Sequence, residues 1–390
     1  MSRVVETDIL IIGAGIAGSA LACALRNTHL KVAVLEKSGL ALDTARGDHL
    51  QPRTCEILSN WNILDAFFEA GAEKRGQTIW RNANDEIFFS SRYDQLDVPE
   101  PYFAFLNHEL IGEILLNSAA SSGNIDLIKP CQQWSIVEHQ SDSVVIDAVD
   151  DDGQSLTITS KILVGADGRG SKVRESAGFE SQITRYNKPL VVLFGNSSNY
   201  PDNTDLNIYL RKNCMVTLIP RTSGGFKIAI PEERSKIKSW KQATEDELKH
   251  RVKELLPELE LDSVHFCDFY QPIDLRSSHW VNNNTVLIGD SCHAMHPARS
   301  LGMNLTIQNI EKLAKTLLGA SPNKFNQSLS GYEQNNKPAL DEILNDNHRY
   351  AEIMDSGSTD TFVMLERKLM ALNNNPEALL QRLYLTAGYR

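Results

Sequence analysis

Near its start the chain reads DILIIGAGIAGSALACALRNTHLKVAVLE, residues 8–36. The aliphatic run that leads into glycines is typical of a parallel strand buried on both faces. In this pattern Gly13 permits a tight turn, Gly15 lets the backbone approach a phosphate, and Gly18 lets the next helix pack closely on the strand. The stretch therefore predicts a strand, a phosphate-binding turn and a helix.

The rest of the same stretch completes a dinucleotide-binding unit. Ile16 and Ala17 begin the helix, whose first amides point at the bound anion. A second strand, KVAVLE, ends in Glu36, at the spacing where a carboxylate accepts hydrogen bonds from ribose hydroxyls, and Lys37 follows directly. This motif predicts a dinucleotide site but leaves open whether the ligand is a nicotinamide or a flavin dinucleotide.

Composition narrows the class of protein. The 390 residues carry a formal charge of −11, with 42% apolar and 23% charged residues, which favours a globular protein without nucleic acid as a partner. No apolar run approaches the ~18 residues of a membrane span, and the six cysteines show no metal-ligand spacing. We expect a cytoplasmic protein without a metal, as a monomer or homodimer.

Two later stretches repeat the strand–glycine–helix design. One is KILVGADGRGSKVRESAGF, residues 161–179, and the other begins NTVLIGDSCHAMHPARSLGMNL at residue 284. The second delivers Asp290 at the end of a strand and starts a helix near Gly302. Three strand ends that converge on one crevice suit a long, extended cofactor. These stretches favour FAD, with a ribityl hydroxyl on Asp290 and the ring at the N-terminus of the last helix.

Taken together, four motifs resemble one family. GxGxxG with Glu36, ARGDHLQPRTCEIL, GADGRGSKVR and GDSCHAMHP…GMNL are similar to those of the single-component FAD-dependent aromatic hydroxylases, the p-hydroxybenzoate hydroxylase-like flavoprotein monooxygenases. The resemblance runs from residue 8 to about residue 315. It implies an α/β fold with a Rossmann-like FAD-binding domain of the GR2 type, an inserted antiparallel β-sheet domain for the substrate and a C-terminal helical segment.

The resemblance also implies which residues hold FAD. Arg46 and Gly47 would lie beside the cofactor, and Asp167 near both the cofactor and the nicotinamide path. Three departures from the family pattern are Ser300-Leu301 in place of Gly-Gln, Asn107 in place of an arginine or glutamine, and Asn309 in place of a frequent aspartate of the last helix. The full predicted set is Gly13, Gly15, Ile16, Ala17, Gly18, Glu36, Lys37, Arg46, Gly47, Asn107, Asp167, Asp290, Pro297, Gly302, Met303 and Asn304.

The domain boundaries follow from where the motifs and the alternating strands fall. We predict a discontinuous FAD-binding domain, a β-sheet substrate domain and C-terminal helices. The first comprises 1–75, 100–182 and 268–335, the second 76–99 and 183–267, and the third 336–390. Tyr209, Met215, Thr217 and Pro220 are candidates for the substrate pocket, although alternation alone does not say which face points inward.

The function that the resemblance implies is hydroxylation of a small electron-rich aromatic or heteroaromatic substrate. NADH or NADPH would reduce the flavin, and O₂ would then give a C4a-hydroperoxide that delivers one oxygen atom. Since there is no second GxGxxG, the nicotinamide donor would bind transiently. A phenol with a pKa of ~10 gains from deprotonation, so His49 and Tyr209 are candidates for a base, and each also fits a structural role.

Two other functions stay open. A flavin-dependent halogenase shares the FAD frame but needs a lysine near a WxWxIP stretch, and the five tryptophans form no such pattern. An FAD-dependent reductase of a lipid or quinone is the second alternative. The mass of the product would separate all three.

Overall fold

The computed structural model describes residues 3–37, 48–150, 153–200, 205–211, 213–222, 224–321 and 324–389. The predicted contacts of Arg46 and Gly47 therefore lie outside the described residues. The strands are β1 (Arg3–Ile12), β2 (Val32–Leu35), β3 (His49–Leu50), β4 (Glu73–Arg75), β5 (Gln77–Arg81), β6 (Ile87–Arg92), β7 (Phe103–Phe105), β8 (Ile125–Ile128), β9 (Cys131–His139), β10 (Val144–Asp150), β11 (Ser155–Gly165), β12 (Ser181–Arg185), β13 (Leu190–Ser197), β14 (Leu206–Arg211), β15 (Cys214–Pro220), β16 (Phe226–Pro231), β17 (Leu261–Tyr270), β18 (Ile273–Ser277), β19 (Val281–Asn282), β20 (Thr285–Leu287) and β21 (His293–Ala294).

The α-helices of the described residues connect and cover these strands. They are α1 (Ile16–Ala24), α2 (Pro52–Asn60), α3 (Leu64–Glu69), α4 (His108–Ala120), α5 (Lys172–Ser176), α6 (Ile237–Lys241), α7 (Glu245–Leu255), α8 (Gly302–Gly319), α9 (Phe325–Ser356), α10 (Thr359–Leu372) and α11 (Pro376–Ala387). None of them is both long and apolar enough to cross a membrane.

The first sheet has the order β19-β20-β11-β1-β2-β8, with β10 and β9 attached beside β11. Its core from β20 to β8 is parallel, and β19 pairs antiparallel with β20. Ile12 pairs with Leu35 on one side and with Gly165 on the other, and Gly165 pairs with Leu287. The carboxyl ends of β1, β2, β11 and β20 are thus level with one another. Whatever follows these strands meets at one edge of the sheet, as the repeated strand–glycine design predicted.

The second sheet has the order β17-β13-β16-β15-β14-β5-β6. All its pairs are antiparallel except β14 with β5. One face packs against α6 and α7. The opposite face packs against α10 and α11. The predicted fold class, an α/β nucleotide-binding fold with an added antiparallel sheet and C-terminal helices, is confirmed; the domain boundaries remain a prediction.

Helix α9 joins the two hydrophobic cores. Leu329 and Leu344 are buried in the core of the first sheet. Further along the same helix, Tyr350 and Met354 pack into the cluster beneath the second sheet. Pro338 lies inside the helix, within the part that covers the first core. The predicted boundary between residues 335 and 336 falls inside this continuous helix.

Candidate active site

A cleft runs along the carboxyl edge of the first sheet. It is bordered by the turn after β1, the start of α1, the ends of β2 and β11, and the loop that leads into α8. The predicted FAD-binding residues that line it are Gly13, Gly15, Ile16, Ala17, Glu36, Lys37, Asp167, Asp290, Pro297, Gly302 and Met303. The structure therefore brings together residues that are up to 290 positions apart, from Gly13 to Met303.

The three motif glycines meet different surroundings. Gly13 has a φ of +102°, and a Cβ there would lie 2.6 Å from the carbonyl oxygen of Ala166. At Gly18 a Cβ would overlap the carbonyl oxygen of Gly13. A Cβ on Gly15 would meet no atom within 4 Å, because this residue faces the open cleft. Gly13 and Gly18 serve the packing of the chain, whereas Gly15 leaves room for a ligand.

Glu36 lies at the end of β2 and lines the cleft. Its Oε2 atom accepts a hydrogen bond from the backbone N–H of Ala14, at 2.5 Å. This contact holds the carboxylate beside the glycine turn. A carboxylate in this position suits the ribose of an adenine nucleotide.

Asp290 is carried to the same cleft by a close approach of two chain segments. Gly289, directly before it, has a φ of +59°, and a Cβ there would lie 2.7 Å from the Cβ of Ala17 on α1. Glycine is therefore required for the β20 end to reach the first helix. As a result, Asp290 and Gly15 border one crevice.

The segment after β11 is held by its own polar side chains. Oδ2 of Asp167 accepts hydrogen bonds from the backbone N–H groups of Lys172 and Val173, at 2.7 and 3.1 Å. The buried Arg174 donates from its guanidinium to the carbonyl of Ser291, at 2.9 Å. These bonds fix Asp167 at the cleft and tie this loop to the segment that carries Asp290.

Three predicted FAD-binding residues do not line the cleft. Gly18 is buried against Gly13, and Asn107 is buried directly before α4. Asn304 is fully buried, and its side chain accepts from Gln51 N at 2.8 Å and donates to His49 O at 3.1 Å. The oxygen and the nitrogen of the Asn304 side-chain amide both form hydrogen bonds with the backbone of residues 49–51. This side chain therefore holds α8 against β3.

The start of α8 borders the far end of the cleft. Gly302 and Met303 line it, and the preceding Ser300 has a left-handed φ of +51°. The positive end of a helix favours negative charge. The cleft thus fits FAD: α1 would hold the pyrophosphate, Asp290 a ribityl hydroxyl, and the first turn of α8 the pyrimidine edge of the ring.

A second cavity lies between the second sheet and the C-terminal helices. Its walls are mainly apolar and include Trp80, Phe103 and Ile208. Three residues, His49, Pro297 and Ser300, line both this cavity and the cleft. The two spaces therefore adjoin each other at the position where the flavin ring would end.

The structure places the four candidates for the substrate pocket on different faces of the second sheet. Thr217 lines the cavity. Met215 is on the same face of β15 but is buried in the hydrophobic cluster rather than lining the cavity. Tyr209 packs on the opposite face of the sheet, beside α6 and α7, and strand alternation puts Pro220 on that face as well. Both faces of these strands are apolar, so alternation could not distinguish them.

His49 occupies the junction of the two spaces. Its ring contacts Phe103 and Phe105, with centroids 4.9 and 5.3 Å apart. Burial lowers the pKa of His49 to about 4. The imidazole is therefore neutral at pH 7 and is able to accept a hydrogen bond.

Sequence reasoning missed a buried ion pair at the cavity wall. Lys227 on β16 lines the cavity, and its Nζ lies 2.5 Å from Oδ2 of Asp48, with side-chain exposures of 2% and 3%. Burial raises the pKa of the Asp48 carboxyl, and the Lys227 ammonium opposes that shift. The only sequence signal was a lysine that interrupts the apolar strand FKIAIP.

The family model for the FAD binding domain matches residues 6–346. The chain belongs to this family. Together with the relatives described below, the match confirms the resemblance to the p-hydroxybenzoate hydroxylase-like flavoproteins and the predicted enzyme class, a flavoprotein monooxygenase. It also extends the region of likeness beyond residue 315, into α9.

Individual relatives are distant. FAD-dependent monooxygenase ankC of Aspergillus thermomutatus is 24% identical, over 93% of this chain and 66% of that protein. The uncharacterized aromatic compound monooxygenase YhjG of Bacillus subtilis is 24% identical, over 89% of this chain and 69% of that protein. The chain thus spans about two thirds of the length of these two curated relatives.

Among solved structures, p-nitrophenol 4-monooxygenase PnpA from Pseudomonas putida superimposes with a TM-score of 0.83. The match covers 100% of this chain and 99% of that one, at 17% identity. At this identity the likeness establishes the fold, which is the same over the whole chain.

Proposed function

We propose that this FAD-binding domain family member hydroxylates a small aromatic molecule with NAD(P)H and O₂. The observation that carries the proposal is the shared border of the cleft and the second cavity at His49, Pro297 and Ser300. An aromatic ring in the cavity would lie directly against the edge of a flavin in the cleft. FAD, when bound, supplies the transfer of electrons from NAD(P)H to O₂ and the activated oxygen.

The chain itself would bind and orient the substrate, and it would exclude water from the site. The apolar walls keep water from the reacting atoms, which prevents loss of the activated oxygen. The neutral His49 at the junction would accept a hydrogen bond from a substrate hydroxyl and hold that hydroxyl in place.

Two alternative functions, halogenation and reduction, are weighed against hydroxylation by the residues that line the cavity. Halogenation would use a lysine that faces the substrate; Lys227 does line the cavity, but its ammonium is paired with Asp48. Reduction of a lipid or quinone would need no oxygen transfer, although the walls would accept such a molecule. Neither explains the junction better than hydroxylation does.

The test is to load the purified protein with FAD and screen aromatic molecules for faster oxidation of NADH or NADPH under ¹⁸O₂. We expect a product that carries one labelled oxygen atom. Incorporation of chlorine from added chloride would assign the protein to the halogenases. A product with two added hydrogens and no label would assign it to the reductases and exclude hydroxylation.

A further inference from the structure

The second cavity contains a guanidinium that the described residues do not neutralise. Arg382 of α11 lines the cavity, and its Nε is fully buried without a hydrogen-bond partner. No carboxylate of the described residues forms an ion pair with it. Its Cζ atom lies 5.8 Å from the centroid of the Phe89 ring. Burial lowers the pKa of this group, as expected for a cation short of compensating charge.

The other cations at the cavity wall are already paired. Arg299 forms an ion pair with Asp346, and Lys227 forms one with Asp48. Among the described residues that line the cavity there is no aspartate or glutamate. The cavity therefore carries an excess of one positive charge, located on Arg382. Arg382 is only partly exposed, and a cation held beside apolar walls is stabilised when a ligand brings the opposite charge.

Hydroxyl groups stand near this guanidinium. Thr386 is one helical turn further along α11 and also lines the cavity. Its Oγ1 accepts a hydrogen bond from the Tyr93 hydroxyl at 3.1 Å, and Tyr93 is a further lining residue. The Thr386 hydroxyl in turn donates to the backbone carbonyl of Arg382, at 2.9 Å, so both hydroxyl hydrogens are used within the wall. It is the fork of guanidinium N–H groups on Arg382 that matches the two oxygens of a carboxylate.

The position of Arg382 determines which end of the ligand it would hold. The residues shared with the cleft are His49, Pro297 and Ser300, and Arg382 is not one of them. The other lining residues are largely aromatic and aliphatic and include Trp80 and Ile208. A flat ring would fill this part, with one end at the junction and the other at α11.

We infer that the substrate is an aromatic carboxylate, whose carboxylate group binds Arg382 while its ring extends toward the junction. The inference rests on the proposed function for the identity of the site. Arg382 would then determine substrate specificity. It lies on α11, outside all the nucleotide-binding motifs of the sequence. A charged hydrogen bond of this kind favours the acid over an uncharged analogue of the same shape by roughly ten-fold or more.

The test compares matched pairs of acids and amides. FAD-loaded protein is titrated with 4-hydroxybenzoate, 4-hydroxyphenylacetate, 4-hydroxycinnamate and 2-aminobenzoate, and with the amide of each, and binding is measured from the change in flavin absorbance. We expect at least one acid to bind the wild-type protein about ten-fold or more tightly than its amide. In Arg382→Leu the Kd of that acid should rise to within about three-fold of the amide, with the Kd of the amide unchanged.

Two further variants make the result decisive. Arg367→Leu removes an exposed arginine of α10 and should keep the full preference for the acid. If Arg382→Leu fails to fold, as judged by FAD content and Tm, Arg382→Gln replaces it. A panel in which no acid binds more tightly than its amide would overturn the inference, and so would a preference that survives in the Arg382 variant. The titration needs bound FAD but no turnover, so its failure is distinct from a failure to transfer labelled oxygen.

Discussion

Gly15 and Gly18 belong to one motif but serve different physical needs. Gly18 is required because any side chain would collide with the backbone of Gly13. Gly15 is not required by the fold, because its surroundings are empty and its φ of −67° is open to any residue. The lack of a side chain at Gly15 therefore matters for binding, when the phosphate of a ligand comes close to the backbone.

Gly15→Ala and Gly18→Ala separate these roles. We expect Gly15→Ala to change the free energy of unfolding of the FAD-free protein by less than about 1 kcal/mol, while it weakens FAD binding at least ten-fold (~1.4 kcal/mol). Gly18→Ala should destabilise the FAD-free protein by more than about 2 kcal/mol. Chemical denaturation and FAD titration measure the two quantities. Equal FAD affinity in Gly15→Ala and wild type would place the phosphate elsewhere.

His49 and Tyr209 were indistinguishable from the sequence as candidates for a base, and the structure separates them. His49 lies at the junction, whereas Tyr209 lies on the far face of the second sheet. We expect His49→Ala to retain FAD but to yield at least ten-fold less hydroxylated product per NAD(P)H consumed. Tyr209→Phe is the matched control and should change this ratio less than two-fold. A full yield from His49→Ala would remove the histidine from the reaction.

The turn before α8 is a strained element. Ser300 has a positive φ, and the other non-glycine residues with positive φ in the described part of the chain are all asparagine or aspartate. Asparagine and aspartate tolerate this conformation better than serine does. The left-handed region costs such a residue about 1 kcal/mol. The conformation places Ser300 where it borders both the cleft and the cavity.

Substitution at position 300 tests this strain. Ser300→Gly should leave the free energy of unfolding unchanged or raise it by up to about 1 kcal/mol, because relief of strain offsets the greater entropy of the unfolded chain. Ser300→Val should lower it by more than about 1 kcal/mol, since a β-branched residue tolerates this region poorly. Urea denaturation of the FAD-free variants measures both. A similar loss of stability in both variants would mean that the serine side chain, not the backbone, is what matters.

The elements also show how far the sequence could lead. Strand ends followed by glycine and a polar residue predicted the cleft, because parallel strands must end at one edge; Gly13, Glu36 and Asp290 were found in this way. The residues that line the second cavity were harder to predict from the sequence. Lys227 and Arg382 follow no local motif, and their importance depends on which face of a doubly apolar strand points inward and on where α11 packs.

Acid should destabilise the molecule through buried histidines. Burial lowers the pKa of His49 and His296 to about 4 from an ordinary value of 6.5, and it lowers the pKa of His293 as well. The unfolded chain takes up these protons near pH 6.5 and the folded chain does not, so stability is fully present above pH 6.5 and falls toward pH 4. His49 and His296, whose pKa values fall to about 4, each contribute on the order of 3 kcal/mol to the free energy of unfolding, and this is lost between pH 6.5 and pH 4.

The comparison of His296→Asn with His250→Asn isolates one such contribution. Between pH 7 and pH 5 the wild-type protein should lose about 2 kcal/mol through His296 alone. The FAD-free His296→Asn variant should therefore show a smaller loss of unfolding free energy than wild type over this range. His250 is 76% exposed, and His250→Asn should follow wild type. Identical pH profiles for all three proteins would contradict the prediction.

Helix α9 has a consequence for how a ligand enters. It is continuous from Leu329 in the nucleotide-binding core to Met354 beneath the second sheet, and the segment that bridges the two cores has no proline. A hinge between the cores would have to break this helix, with the loss of several backbone hydrogen bonds. The two halves of the protein should accordingly move as one unit, and an incoming molecule should be admitted by small displacements of loops at the rim.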